Sequence, residues 1–127
     1  MKLDHVGIAV PDTDEQAAIL TDLTDVPVVH EEVIGGLKVA FLEFGESTVE
    51  LVQPLEGGTV QRFLDREGPG LHHLAFRTDD IEAALETAGQ QGYERIDDAP
   101  RPGARGHRVA FLHPRSTGGV LIEYVAV

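Results

Sequence analysis

The chain has 127 residues, 22 acidic side chains against ten basic ones, a net charge of −12 and no cysteine. That length suits one domain with a core of its own, and a hydrophobic share of 42% is not that of a disordered chain. The missing cysteines exclude a disulfide framework, a thiolate zinc site and a cysteine nucleophile, while the negative field argues against nucleic acid and anionic membranes as partners.

The N-terminus, Met1 to Val6, runs straight into a strand-like pattern with no signal-peptide core. No apolar run reaches the ~18 residues that span a bilayer, so a cytoplasmic protein is expected. His5-Val-Gly-Ile-Ala-Val-Pro-Asp12 reads as a short alternating strand. Asp12 to Leu23 reads as a helix, with Thr13 or Asp14 as cap. His30 lies in a polar, loop-like stretch and reads as surface. Val39-Ala-Phe-Leu42 is a strand, followed by the turn Gly45 to Thr48 and a further strand, Val49-Glu-Leu-Val52. A join from Gly57 to Pro69 contains a short helix at Val60 to Arg66.

The chain then repeats itself. His73-Leu-Ala-Phe-Arg-Thr-Asp-Asp80 matches the first strand. A helix follows to Gly89, capped by Asp79 or Asp80, with Gly89 and Gly92 as stop signals. Val109-Ala-Phe-Leu112 copies the earlier four letters, and Pro114 to Gly119 turns into Leu121-Ile-Glu-Tyr-Val125. His113, before Pro114, reads as structural, and His107 ends the loop that begins at Pro102. The fold expected is α+β: two βαβββ modules in tandem forming a cup-shaped mixed sheet within one domain, 1–127. Module 1 covers about 1–57, a linker about 58–69 and module 2 about 70–127.

Each module offers one histidine at a strand start and one glutamate in its last strand: His5 with Glu50, His73 with Glu123. Strand alternation puts His5, Gly7 and Ala9 on one face, and His73 with Ala75 on the other module's equivalent. His72 then points the opposite way, so only His73 matches His5. A glutamate between apolar neighbours costs several kcal/mol to bury unless something neutralises it. Any one of these residues alone would be unremarkable in a strand. Four of them at equivalent positions predict a centre with two imidazoles and two carboxylates, which suits zinc, cobalt, nickel, manganese or iron(II) better than calcium. Such a centre leaves positions open for substrate oxygens.

Four segments carry a resemblance: Asp4 to Asp12; Val49 to Leu55; Gly70 to Phe76 with Asp79-Asp-Ile81; and Phe111 to Arg115 with Gly118 to Glu123. In that order they resemble the vicinal-oxygen-chelate superfamily and, within it, the methylmalonyl-CoA epimerases. The resemblance implies one divalent metal ion per chain, cobalt first, with zinc, manganese or nickel as alternatives. Its ligands would be His5, His73 and Glu123, with Glu50 where relatives carry Gln or Glu. It implies a homodimer, an acyl-CoA substrate, and proton removal and return at C2 through a stabilised enolate. Some relatives carry a glutamate, taken as catalytic base, where this chain has Val39. Glu50 is then the expected acid/base, and Glu123 a ligand and second acid/base. The loop Gly103, Ala104, Arg105 and Gly106 is expected to receive the anionic end of the substrate. Arg101, Arg108 and Arg115 are candidates for the CoA phosphates, although surface ion pairing is the commoner role of such residues. Two rival expectations are a glyoxalase-like lyase or isomerase, and a non-catalytic drug-binding protein of the bleomycin-resistance kind. The acidic, lysine-poor composition, with only Lys2 and Lys38, is that expected of a salt-loving archaeon.

Overall fold

A computed structural model describes the chain from Met1 to Val127. Its elements are β1 (Lys2–Ala9), α1 (Thr13–Thr24), β2 (Val28–Ile34), β3 (Leu37–Phe44), β4 (Ser47–Pro54), α2 (Thr59–Glu67), β5 (Gly70–Arg77), α3 (Ile81–Gln90), β6 (Arg101–Pro102), β7 (Arg108–Leu112) and β8 (Leu121–Ala126). The order βαβββ occurs twice, with α2 between the copies, as the repeat in the sequence implies. Two compact units divide the residues: His5–His72, and Met1–Asp4 with His73–Val127. No helix is long and apolar enough to cross a membrane.

In the first unit the strand order is β2-β3-β4-β1. β1 pairs parallel with β4, and β3 pairs antiparallel with both β2 and β4. From Asp4 to Ala9 the odd-numbered residues of β1 (His5, Gly7 and Ala9) are buried and the even ones half-buried, the period of two that alternating faces impose. α1 covers one face. Ala17 packs there with Val10, Ala40, Leu42 and Leu51, so every second residue of β3 and β4 is committed to the helix side. Phe41, Glu50 and Val52 fall on the other face by alternation.

The second unit repeats this plan in the order β5-β8-β7-β6, with β5 parallel to β8. Under α3 lie Ile81, Leu85 and Ala88 against Ala110, Leu112 and Ala126. On the other face Ala75, Val109 and Val125 pack with Phe111. Asp4, at the head of β1, belongs here too: its carboxylate takes a 2.7 Å ion pair from Arg77.

Local details correct the sequence reading at three points. The cap of α1 is Asp12, whose carboxylate accepts from the amides of Asp14 and Glu15. Thr13 is instead fully buried, and its amide donates to the Gln53 side chain at 2.9 Å. Gly89 lies inside α3, where a side chain would meet the Arg95 guanidinium at 3.2 Å. Gly92, at φ 91°, makes the left-handed turn after the helix. His30 is not in a loop but in β2, an edge strand that pairs only with β3. Polar residues in three of its seven positions hid it, and edge strands tolerate such residues because only one side of their backbone is paired. Asp80 caps α3 through the Ala83 amide, and the short helix of the join is α2, both as read.

Candidate metal centre

Each unit contains one buried histidine–glutamate pair, built the same way. In the first, His5 Nε2 lies 3.4 Å from Glu50 Oε1. In the second, His73 Nε2 lies 3.1 Å from Glu123 Oε1. The four residues are 6%, 7%, 4% and 5% exposed, respectively. The register explains the pairing. Gly7 stands opposite Glu50 in the parallel β1–β4 ladder, and Ala75 stands opposite Glu123 in β5–β8. In each case the residue two along from the histidine is small, so the glutamate can lean over it towards the imidazole.

A second layer repeats as well. Phe41 lies opposite Glu50 across β3–β4, and Phe111 opposite Glu123 across β7–β8. The Phe41 ring meets the His5 ring edge-on, at 6.1 Å and 85°. Phe111 meets His73 in the same way, at 5.9 Å and 81°. These phenylalanines are the third letter of the repeated Val-Ala-Phe-Leu. Sequence reading used that repeat for topology only, although it also marked the residues that back the histidines.

The chemistry fits a divalent cation. Burying a carboxylate costs several kcal/mol unless a cation or hydrogen bonds offset its charge. Two imidazoles and a carboxylate supply the mixed nitrogen and oxygen donors that first-row divalent metals favour. His5, His73 and Glu123 are, by donor type and burial, a group that could hold a metal ion.

The other candidates fall as follows. His72 packs edge-on against Phe63 of α2, at 5.1 Å. His113 is structural: its Nδ1 accepts from the Arg115 amide at 3.1 Å, capping the single 3₁₀ turn at Pro114–Ser116. All three arginines proposed for CoA phosphates hold acidic partners, Arg101 with Asp97, Arg108 with Glu82 and Arg115 with Glu94. The hydrogen bond from Arg108 holds the Glu82 carboxyl below its ordinary pKa. Arg101 also lies over the Phe111 ring, at 5.3 Å.

Gly103 to Gly106 form a tight loop. The Gly103 amide donates to the His107 carbonyl at 2.8 Å, and the His107 amide returns to Ala104 at 3.2 Å. Arg105, at φ 62° and ψ 17°, is in the left-handed region, which side chains other than Gly and Asn rarely occupy. Such a backbone is characteristic of functional loops.

The fold and these paired sites define a class. Residues 4–111 match the model of the glyoxalase/bleomycin resistance protein/dioxygenase superfamily. The ethylmalonyl-CoA/methylmalonyl-CoA epimerase of Cereibacter sphaeroides is 34% identical, over 96% of this chain and 95% of its own length. The crystal structure of methylmalonyl-CoA epimerase from Mycobacterium tuberculosis is 36% identical, with a TM-score of 0.93 over 98% of this chain and 87% of that one. A variant of the Streptomyces coelicolor methylmalonyl-CoA epimerase, in complex with 2-nitronate-propionyl-CoA, is 33% identical, with a TM-score of 0.95 over 99% and 94%. The chain belongs to the methylmalonyl-CoA epimerase family of that superfamily.

Proposed function

We propose that this protein interconverts (2R)- and (2S)-methylmalonyl-CoA by taking a proton from C2 and returning one to the opposite face. It is then an isomerase of the epimerase type. The observation that carries the reading is the duplicated buried pair, His5–Glu50 and His73–Glu123, in a chain of this family.

The difficulty of the reaction is the negative charge that develops on the thioester as the C2 proton leaves. A divalent ion, cobalt in our reading, supplies the Lewis acidity that stabilises this charge when bound. His5, His73, Glu50 and Glu123 are the residues proposed to hold it. Phe41 and Phe111 fix the imidazole planes, so that ligand geometry is preorganised. Glu50 is the proposed acid/base for one face of C2. The second acid/base is a carboxylate too, and Glu123 is the candidate that the sequence offers. The loop Gly103 to Gly106, with its left-handed Arg105, is proposed to hold the anionic end of the acyl group through amides and guanidinium. The pairing of Arg101, Arg108 and Arg115 with acids weakens their case as receptors of the CoA phosphates.

The Cereibacter relative carries both ethylmalonyl-CoA and methylmalonyl-CoA in its name. A hydrophobic wall discriminates one methylene by only about 1–3 kcal/mol, so both substrates belong in the assay. We also infer a cytoplasmic homodimer adapted to concentrated salt.

The test is to incubate the protein with each methylmalonyl-CoA enantiomer in heavy water, with and without a chelator. Deuterium at C2 and inversion are expected, both lost with the chelator. Turnover of glutathione hemithioacetal, with no exchange at C2, would overturn the reading in favour of a glyoxalase-like enzyme.

A further inference from the structure

The face of the first unit that carries Glu50 extends past it in an ordered grid. β4 contributes Glu50 and Val52; β3 contributes Phe41 opposite Glu50, and Val39 opposite Val52. β2 adds one more row: His30 opposite Phe41, and Glu32 opposite Val39. Cross-strand partners place their side chains on the same face, and the contacts agree. His30 lies 5.9 Å from the Phe41 ring, and Phe41 in turn meets His5. His30 Nε2 lies 2.8 Å from Glu32 Oε1. The floor between Glu50 and Glu32 is apolar and closed: Val39 is 2% exposed and Val52 4%.

We propose that Glu32, oriented by His30, is the second acid/base of this site, acting on the face of C2 opposite to Glu50. The inference rests on the epimerase reading. Neighbouring strands are about 4.8 Å apart and same-face neighbours along a strand about 7 Å, so the Glu50 and Glu32 backbones, two strands and one such step apart, are separated by about 12 Å. Two glutamate side chains at that separation can approach a carbon held between their carboxyl groups from opposite sides, each at about 3 Å. Glu32 has what the task requires. Its side chain is 26% exposed, so it can exchange protons with water between turnovers. It also lies outside the proposed ligand set. In one direction the C2–H bond breaks, its proton joins a Glu32 oxygen, and the bonding pair is delocalised onto the thioester oxygen. A proton from Glu50 then completes the inverted C2–H bond, and the reverse direction exchanges the two roles. His30 is a positioning residue, whose hydrogen bond fixes the Glu32 carboxylate.

Losing one base of a two-base epimerase silences exchange from one enantiomer only. Glu32→Gln keeps the size and an acceptor for His30. With cobalt(II) supplied, it is expected to lower C2 deuterium exchange from one enantiomer by about 100-fold or more. Exchange from the other enantiomer should stay within a few-fold of wild type, with its configuration retained. His30→Gln should lower the same enantiomer's exchange by about 10-fold with KM unchanged, an asymmetry that a merely structural role would not produce. Equal loss from both enantiomers in a folded Glu32→Gln protein, or no loss from either, would overturn the inference while leaving the epimerase reading intact. Absence of exchange in the wild type would overturn the reaction itself, and the inference with it.

Discussion

Phe41 and Phe111 hold the same place in the two units, yet they differ in the space around them. Phe41 is 2% exposed, whereas Phe111 is half-buried and also carries Arg101 on its ring. Truncating a buried phenylalanine to alanine costs about 3–5 kcal/mol, which would confuse loss of fold with loss of site. Leucine is the sharper probe, because it keeps most of the volume and costs about 1.5 kcal/mol or less. In Phe41→Leu and Phe111→Leu the histidine loses its edge-on neighbour while the ligands stay. Cobalt(II) affinity by titration calorimetry should fall by about 10-fold in each, the low end of the range for residues behind ligands. Unchanged affinity in both would mean that the rings serve packing alone. At this scale the sequence was informative where residue types repeat. His5, Glu50, His73 and Glu123 were visible because each half carries the other's copy. Glu32 was not visible, because its counterpart stretch in the second half contains only the two-residue strand β6, and its role depends on register rather than on type.

Elements tell a similar story. β3 and β7 were legible from four identical letters, and β1 and β5 from alternation after a histidine. β2 was hidden by its polar edge residues. β6, Arg101–Pro102, was too short for any periodicity, and its proline is tolerable only because an edge strand leaves one side unpaired. The loop after β6 hides a packing constraint that no pattern announces. Gly103 has an ordinary φ of −126°, so backbone freedom is not why it is glycine. A Cβ there would lie 2.7 Å from Val109 Cγ1, on the strand that carries Phe111. Gly103→Ala should therefore destabilise the protein by about 1–3 kcal/mol, as overpacking does, read from chemical denaturation. In the double variant with Val109→Ala the two costs should not add, since each change removes the other's clash or void. A Gly103→Ala protein within about 0.5 kcal/mol of wild type would show that the loop moves away freely.

For the whole molecule the deciding quantity is the charge of −12. Two effects of salt oppose each other. Screening weakens the surface ion pairs, such as Lys38–Asp14, Arg108–Glu82 and Arg115–Glu94, which contribute little at exposed sites. It also relieves the repulsion among the surplus of acids, which acts across the whole surface and grows with the square of net charge. The second effect should win here, because acids outnumber bases by more than two to one. The screening length falls from about 10 Å at 0.1 M to about 3 Å at 1 M, so most of the gain belongs to that interval. Tm, followed by calorimetry in KCl rather than in a kosmotropic sulfate, should climb through that range and then flatten. Neutralising three exposed acids, with Asp22→Asn, Glu46→Gln and Glu56→Gln together, should raise Tm at low salt and reduce the slope. A Tm that is flat or falls with KCl would reject adaptation to concentrated salt. A slope unchanged in the triple variant would assign the effect to hydration of apolar surface instead of to charge.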